Sequence, residues 1–281
     1  MGDLRGETGD WDQVARGQHR SGRRDGLVDE HGRDTYLSLV EKWADLANSS
    51  RVLKTDLFDV AFASRPFLFD LAQSGISVVG IDVSGEVVRA AKERAEQSGF
   101  DTGCYLQCDV RGIPLREDSI DLIVSDSTLD HFPTETDIVA SLKEMKRVLR
   151  PGGVLILTID NESNLTYPPY VIVRLWMRLG LAPYFIGKTL SHSRLRGTLE
   201  DLGFSVDEIT AIFHCPHPDA MVRWCETLLR RLSCGRLDGA IRRALVLLEK
   251  LGSVRTRYLT GRYIAVKAVK QGPGLGGAPS P

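Results

Sequence analysis

Three aspartates, Asp82, Asp109 and Asp126, each stand at or just after the carboxyl end of a short apolar run. A parallel α/β sheet binds ligands outside the carboxyl ends of its strands, so a row of acids there suits a ligand rich in hydroxyls and amines, such as a nucleoside. Behind the third acid comes Ser127-Thr128-Leu129-Asp130-His131-Phe132. His131 is the best candidate there for a general base and Asp130 the second, although a histidine before Phe-Pro serves equally to brace the following helix. No metal is expected. His192, His214 and His217 share no convincing ligand set with Cys215 or Cys225, and Cys104 and Cys108 have neither a CxxC nor a histidine spacing.

These acids need a sheet to hold them. Arg51–Thr55, Ser77–Ile81, Cys104–Gln107, Asp121–Ser125 and Val154–Ile159 read as strands. The run at 77–81 is continuously apolar or β-branched, as a strand covered on both faces would be. Helical spacing recurs between them: at Thr35–Leu46, in part of Pro66–Gln73, from a Ser84 cap to Gly99 with Val87, Val88, Ala91 and Ala95 inward, and after Pro133-Thr134 with Ile138, Val139, Leu142, Met145 and Val148 inward. Arg150-Pro151-Gly152-Gly153 is expected to turn that last helix into the fifth strand. Alternating strands and helices predict a doubly wound, mostly parallel sheet. A helix at Ser193–Leu202, a sixth strand at Ser205–Phe213 and a returning antiparallel edge at Arg262–Val269 complete seven strands, with helical insertions at about 163–190 and 216–258.

The domain is therefore placed at 31–270. A Gly/Arg/Asp-rich leader, residues 1–30, and a Gly/Pro/Ser tail, 271–281, are expected to be disordered, and Trp11 reads as incidental, as docking onto the body or as covering a bound ligand. With 42% hydrophobic residues the chain can bury one large core. The net charge of -1 conceals an asymmetry: 19 basic and 27 acidic residues up to Ile159, 17 and 10 from Asp160 onward. A basic half suits an anionic substrate, a membrane surface or nucleic acid, or simply a solvated face. Five cysteines without a framework, no apolar h-region and no run of spanning length predict a cytoplasmic protein without a transmembrane segment.

Taken together, Val79-Gly80-Ile81-Asp82-Val83-Ser84, Cys108-Asp109-Val110, Ile120-Asp121-Leu122-Ile123-Val124-Ser125 and Leu149-Arg150-Pro151-Gly152-Gly153-Val154-Leu155 resemble the class I S-adenosylmethionine-dependent methyltransferases. The likeness is to their small-molecule branch, which includes the ubiquinone and menaquinone enzymes, and it covers about 51–213. It implies a Rossmann-like methyltransferase fold and S-adenosyl-L-methionine as cofactor. It also implies that Asp82 accepts from the ribose hydroxyls, that Asp109 accepts from the adenine amine, and that the Val110 N–H faces a ring nitrogen while Val83 packs on the base. Ser125 and Asp126 would border the cofactor where the acceptor enters.

The sequence departs from that family after the first strand, where members carry an acid and a glycine-rich loop. Here Lys54-Thr55-Asp56-Leu57-Phe58-Asp59 has no glycine, and Lys54 stands where the acid is expected. Two readings follow. In one, the loop is rebuilt, with Lys54 or Thr55 on the methionine carboxylate and Asp56 or Asp59 on its ammonium, and methyl transfer proceeds to a hydroxyl, amine or carbon of a small molecule. In the other, Leu57 and Phe58 fill the methionine pocket, and a noncatalytic relative binds a partner or a nucleoside. The acceptor is expected under an excursion containing Tyr167, Tyr170, Trp176, Tyr184 and Phe185, which suits an apolar or lipid-like molecule or peripheral membrane contact. No nucleic-acid partner is expected. Ser125-Asp126-Ser127-Thr128 is not an Asn/Asp-Pro-Pro-aromatic motif, and the G-x-G-x-x-G turn of a nicotinamide enzyme is missing.

Overall fold

A computed structural model describes residues 11–17, 26–44, 46, 49–63, 66, 68–69, 75–100, 103–167, 170–179, 187–214 and 235–272. The helices are α1 (11–17), α2 (Leu27–Trp43), α3 (Phe58–Phe62), α4 (Gly85–Gln97), α5 (Glu135–Val148), α6 (Tyr170–Arg178), α7 (His192–Asp201), α8 (Gly235–Leu248) and α9 (Arg257–Thr260). The strands are β1 (Arg51–Lys54), β2 (Ser77–Asp82), β3 (Cys104–Gln107), β4 (Ile120–Ser125), β5 (Leu149–Asp160), β6 (Phe204–Ile212) and β7 (Tyr263–Lys270).

The seven strands form one sheet in the order β3-β2-β1-β4-β5-β7-β6. The first five are parallel, while β7 runs antiparallel to both β5 and β6. The strand alternation decides which side chain serves which face. Leu53, Ile123, Leu155 and Leu157 point into one cluster with Ile138, Leu142 and Met145 of α5. Val52, Leu122, Val124 and Ile156 point into the other, against Val87, Ala91 and Ala95 of α4 and Tyr36, Val40 and Trp43 of α2. The middles of the central strands are thus apolar on successive positions because both faces are covered. Side-chain caps start the two best-formed helices. Ser84 Oγ accepts from the Val87 N–H, and Thr134 Oγ1 accepts from the Asp137 N–H.

The antiparallel return is not an edge. β7 is inserted between β5 and β6, with Ile264, Ala265, Val266 and Ala268 fully buried, and β6 forms the edge. Strand β5 begins at Leu149 and takes in Arg150-Pro151-Gly152-Gly153, expected as a turn. The pairing with β4 slips there, from Ile120 opposite Leu149 to Leu122 opposite Val154, and Gly152 adopts φ 76°. Glycine enters that left-handed region without steric cost. Parts of the leader expected to be disordered are helical. Helix α2 starts at Leu27 rather than Thr35 because Val28 is buried against Phe213 and Leu245. Residues 11–17 form a further helix with Ala15 buried. Most of the helix expected at Pro66–Gln73 and of the insertion before Gly235 lies outside the described residues. No described helix is long and apolar enough to cross a membrane.

Candidate active site

A cavity of about 500 Å³ opens at the carboxyl ends of β1, β2 and β4. Asp82, Val83, Asp109, Val110 and Asp126 all line it, so the three strand-end acids do converge. Thr55, Asp56 and Phe58 form its floor, and Ser127, Thr128, His131, Phe132 and Pro133 form its mouth. Among the described lining residues there is no lysine or arginine.

Burial raises the pKa of two of these acids, Asp82 and Asp126. Asp82 is pushed up to about 7, first by burial and then by the charge of Asp56, although the Ser84 and Leu57 N–H groups oppose the shift. Those amides donate to Oδ1 at 2.9 Å and Oδ2 at 3.1 Å, which fixes the carboxylate plane and leaves each oxygen a further lone pair for a ligand hydroxyl. Asp126 is raised to about 6 by burial, against the pull of Lys54 and a 2.6 Å hydrogen bond from Thr158 Oγ1. Asp109 is the most engaged of the three. The Arg111 Nε donates to both of its oxygens at 3.0 Å, and the same guanidinium reaches Asp137 at 2.8 Å.

The loop after β1 is rebuilt around a buried cation. Lys54 is 1% exposed and does not line the cavity, so the expectation that it touches a cofactor is corrected. Its Nζ donates to the Asp56 carbonyl at 2.6 Å and pairs with Asp59 Oδ1 at 2.9 Å. Asp59 is thereby spent on Lys54, whereas Asp56 faces the cavity and accepts from the Phe58 N–H at 2.7 Å. Ser125 is also buried behind the wall, taking a hydrogen bond from Thr55 Oγ1 at 2.9 Å, and Thr55 itself reaches the lining. Leu57 does not fill the methionine pocket. It points beneath the loop, fully buried, against Gly80, where an added Cβ would lie 2.5 Å from its Cδ2. Phe58 alone of that pair contributes to the cavity wall.

At the mouth, Asp130 is buried at 2% exposure under His131. Its Oδ2 accepts from Ser127 Oγ at 2.6 Å and the Asp160 N–H at 3.0 Å. Its Oδ1 has no hydrogen-bond partner among the described residues and lies 3.9 Å from His131 Nε2. The acid is thus positioned behind an imidazole that faces the cavity, an arrangement suited to proton acceptance. The excursion after β5 returns across this mouth, with the Gly187 N–H donating to the Asp130 carbonyl and the Lys188 N–H to that of Phe132.

Of the aromatics expected over the acceptor, Tyr184 and Phe185 lie outside the described residues, and so do Cys215, His217 and Cys225. Tyr167 is described and is not part of the lining. The described residues contain no His/Cys/Asp/Glu group able to hold a metal ion. The sequence reading missed Val14, Val87, Cys108 and Pro133 as lining residues. Cys108 adjoins Asp109 and Pro133 follows Phe132, so both carried a signal in their position. Trp11, open to covering a ligand from its sequence, does line the cavity, and Val14 follows it by three residues.

Residues 58–157 match the family model described as a methyltransferase domain. Over those residues the chain carries a methyltransferase domain. A methyltransferase of Synechocystis (sll0829) is 31% identical to it over 138 residues, 48% of this chain and 60% of that protein. The human protein named "Probable tRNA methyltransferase 9B" is 34% identical over 87 residues, 31% of this chain and 17% of that protein. The chain thus spans less than two thirds of the length of these curated relatives. Among solved structures, the methyltransferase domain shares its fold with phosphoethanolamine N-methyltransferase 2 of Haemonchus contortus, solved with S-adenosyl-L-methionine. The TM-score is 0.57 and the identity 17%, covering 85% of this chain and 53% of that one.

Proposed function

We propose that this chain transfers a methyl group from S-adenosyl-L-methionine to a small-molecule acceptor. The observation that carries the reading is the convergence of Asp82, Val83, Asp109 and Val110 on one cavity of about 500 Å³ that the glycine-free loop leaves open. Such a volume lies within the roughly 300–1,000 Å³ of small-molecule and cofactor sites. Asp82 would accept from the ribose hydroxyls, Asp109 from the adenine amine, and Val83 would pack on the base. Asp56 faces the cavity beside Thr55 and would take the ammonium, with the Thr55 hydroxyl for the carboxylate. The cofactor supplies an electrophilic methyl group on a sulfonium, whose departure needs no proton. The protein's part is then alignment, plus removal of a proton from a hydroxyl or ammonium acceptor. His131 would take that proton, held from behind by Asp130. Asp126, close to the mouth, adds negative potential beside the cationic end of the cofactor.

A small acceptor is favoured over RNA, the substrate class in one relative's name, because the described residues of the lining include four acids and neither lysine nor arginine. Polyphosphate backbones are bound by basic surfaces. Against the noncatalytic reading, Leu57 packs away from the cavity, against Gly80, and of the pair only Phe58 reaches its wall. Calorimetric titration of the purified chain with S-adenosylmethionine and S-adenosylhomocysteine tests the proposal. Binding is expected, and it should be lost in Asp82→Ala. Absence of heat at millimolar ligand with the parent chain would refute it.

A further inference from the structure

We propose that α1 is a built wall of the cofactor cavity, docked through Asp12, and that Trp11 is a positioning residue for His131. This rests on the cofactor reading above and adds to it the leader segment around Trp11.

A seven-residue helix cannot stand alone, so its placement must come from what it touches. Three contacts fix it. Ala15 is buried at 2% exposure. Arg16 pairs with Glu86 at 3.3 Å. Asp12 Oδ1 accepts from Ser84 Oγ at 2.5 Å and from the Glu86 N–H at 3.3 Å. The last contact matters most, because Glu86 lies in the first turn of α4, where N–H groups lack helical partners and a negative charge is favoured. The surface Arg16 pair contributes little by comparison.

Helix α1 spans the cavity from one end to the other. At the ribose end it rests on Ser84, whose own N–H orients Asp82 Oδ1. At the mouth, Trp11 meets the His131 ring edge to face, with centroids 4.7 Å apart and planes at 69°. Trp11 and Val14 both line the cavity between these points. One residue, Ser84, therefore joins the acid assigned to the ribose and the acid that docks the helix. A ligand that settles Asp82 also settles α1, and by linkage the docked helix must strengthen binding of that ligand by the same factor. At the other end the indole excludes water from one side of the imidazole and limits its rotation, so the group assigned as base is held toward the acceptor mouth.

The test compares S-adenosylhomocysteine binding by the full chain, Asp12→Ala, Trp11→Ala, Trp11→Phe and Asp82→Ala. Loss of a helix-capping carboxylate or of an aromatic contact should weaken binding about three- to tenfold in Asp12→Ala and Trp11→Ala, with Trp11→Phe recovering most of it. The unliganded unfolding midpoint should stay near that of the parent. The NMR resonances of the His131 ring give a readout that mere folding would not move. They should shift in Trp11→Ala, where the indole whose centroid lies 4.7 Å away is lost, and move back toward those of the parent in Trp11→Phe. Parent-like binding in both alanine variants, while Asp82→Ala abolishes it, overturns the wall and leaves the cofactor reading standing. Unmoved His131 ring resonances in Trp11→Ala overturn the positioning role. No binding by the parent overturns the cofactor reading and this inference with it.

Discussion

Replacing Lys54 by methionine separates a structural cation from a cofactor ligand. Methionine keeps most of the side chain's volume and removes the charge that Asp56, Asp59 and Asp126 surround. Burial alone would lower the lysine's pKa, but those three acids outweigh it and hold the pKa above the ordinary lysine value. A cation raised in this way contributes its full stability at every pH below the ordinary lysine value, so the loss in Lys54→Met will be present throughout the neutral range. Breaking a buried pair by removing one partner costs about 3–5 kcal/mol. For a domain of this size that corresponds to a fall of roughly 10 °C in Tm.

The pH dependence sharpens the argument. Asp56 and Asp126 have folded-state pKa values already raised by burial, and removing Lys54 raises them further. An acid raised in the folded state destabilises it when ionised and ceases to do so as pH falls through the folded pKa. The deficit of Lys54→Met should therefore be largest near pH ~8.5 and shrink by pH ~5.5. Urea unfolding followed by circular dichroism at both values measures it. A deficit below about 1 kcal/mol at the higher pH, or one that does not narrow on acidification, refutes the keystone role of Lys54.

Other perturbations probe the remaining parts of the site. Affinity for S-adenosylmethionine should fall as pH drops from above 7 to below 6, because Asp82 titrates at about 7 and Asp126 at about 6 and both lose charge and acceptor capacity on protonation. Affinity that is flat or rises in calorimetry over that window would contradict the assignment. Gly187→Ala would place a Cβ 2.4 Å from the Phe132 carbonyl and 2.6 Å from that of Asp130, so the crossing strand must shift. A loss of about 1–3 kcal/mol in unfolding free energy is expected, with parent-like stability as the refuting result. Thr134→Ala deletes the side-chain cap of α5 and should cost about 1 kcal/mol. Thermal unfolding reads it, and an unchanged midpoint would show the cap to be replaceable by water.

The chain's own pattern determined the alternating elements and the residues at the strand ends. Strand interiors are set by side chains that must be apolar on both faces, and that requirement is written locally, as in Ser77-Val78-Val79-Gly80-Ile81 before Asp82. The placement of Asp82, Asp109, Asp126 and His131 follows from it, because each lies beside a strand whose direction the alternation fixes. Tertiary structure alone decided three things. It put β7 inside the sheet rather than at its edge, since an antiparallel strand with both neighbours paired looks in sequence like one with a single neighbour. It turned Lys54 and Leu57 inward, because whether a side chain after a strand faces ligand or core depends on the room left beside it, here against Gly80 and between Asp56 and Asp59. And it brought Trp11 to His131, 120 residues away along the sequence, through a carboxylate docked on the start of α4. A long-range contact of that kind depends on the summed geometry of the folded sheet, and no local spacing encodes it.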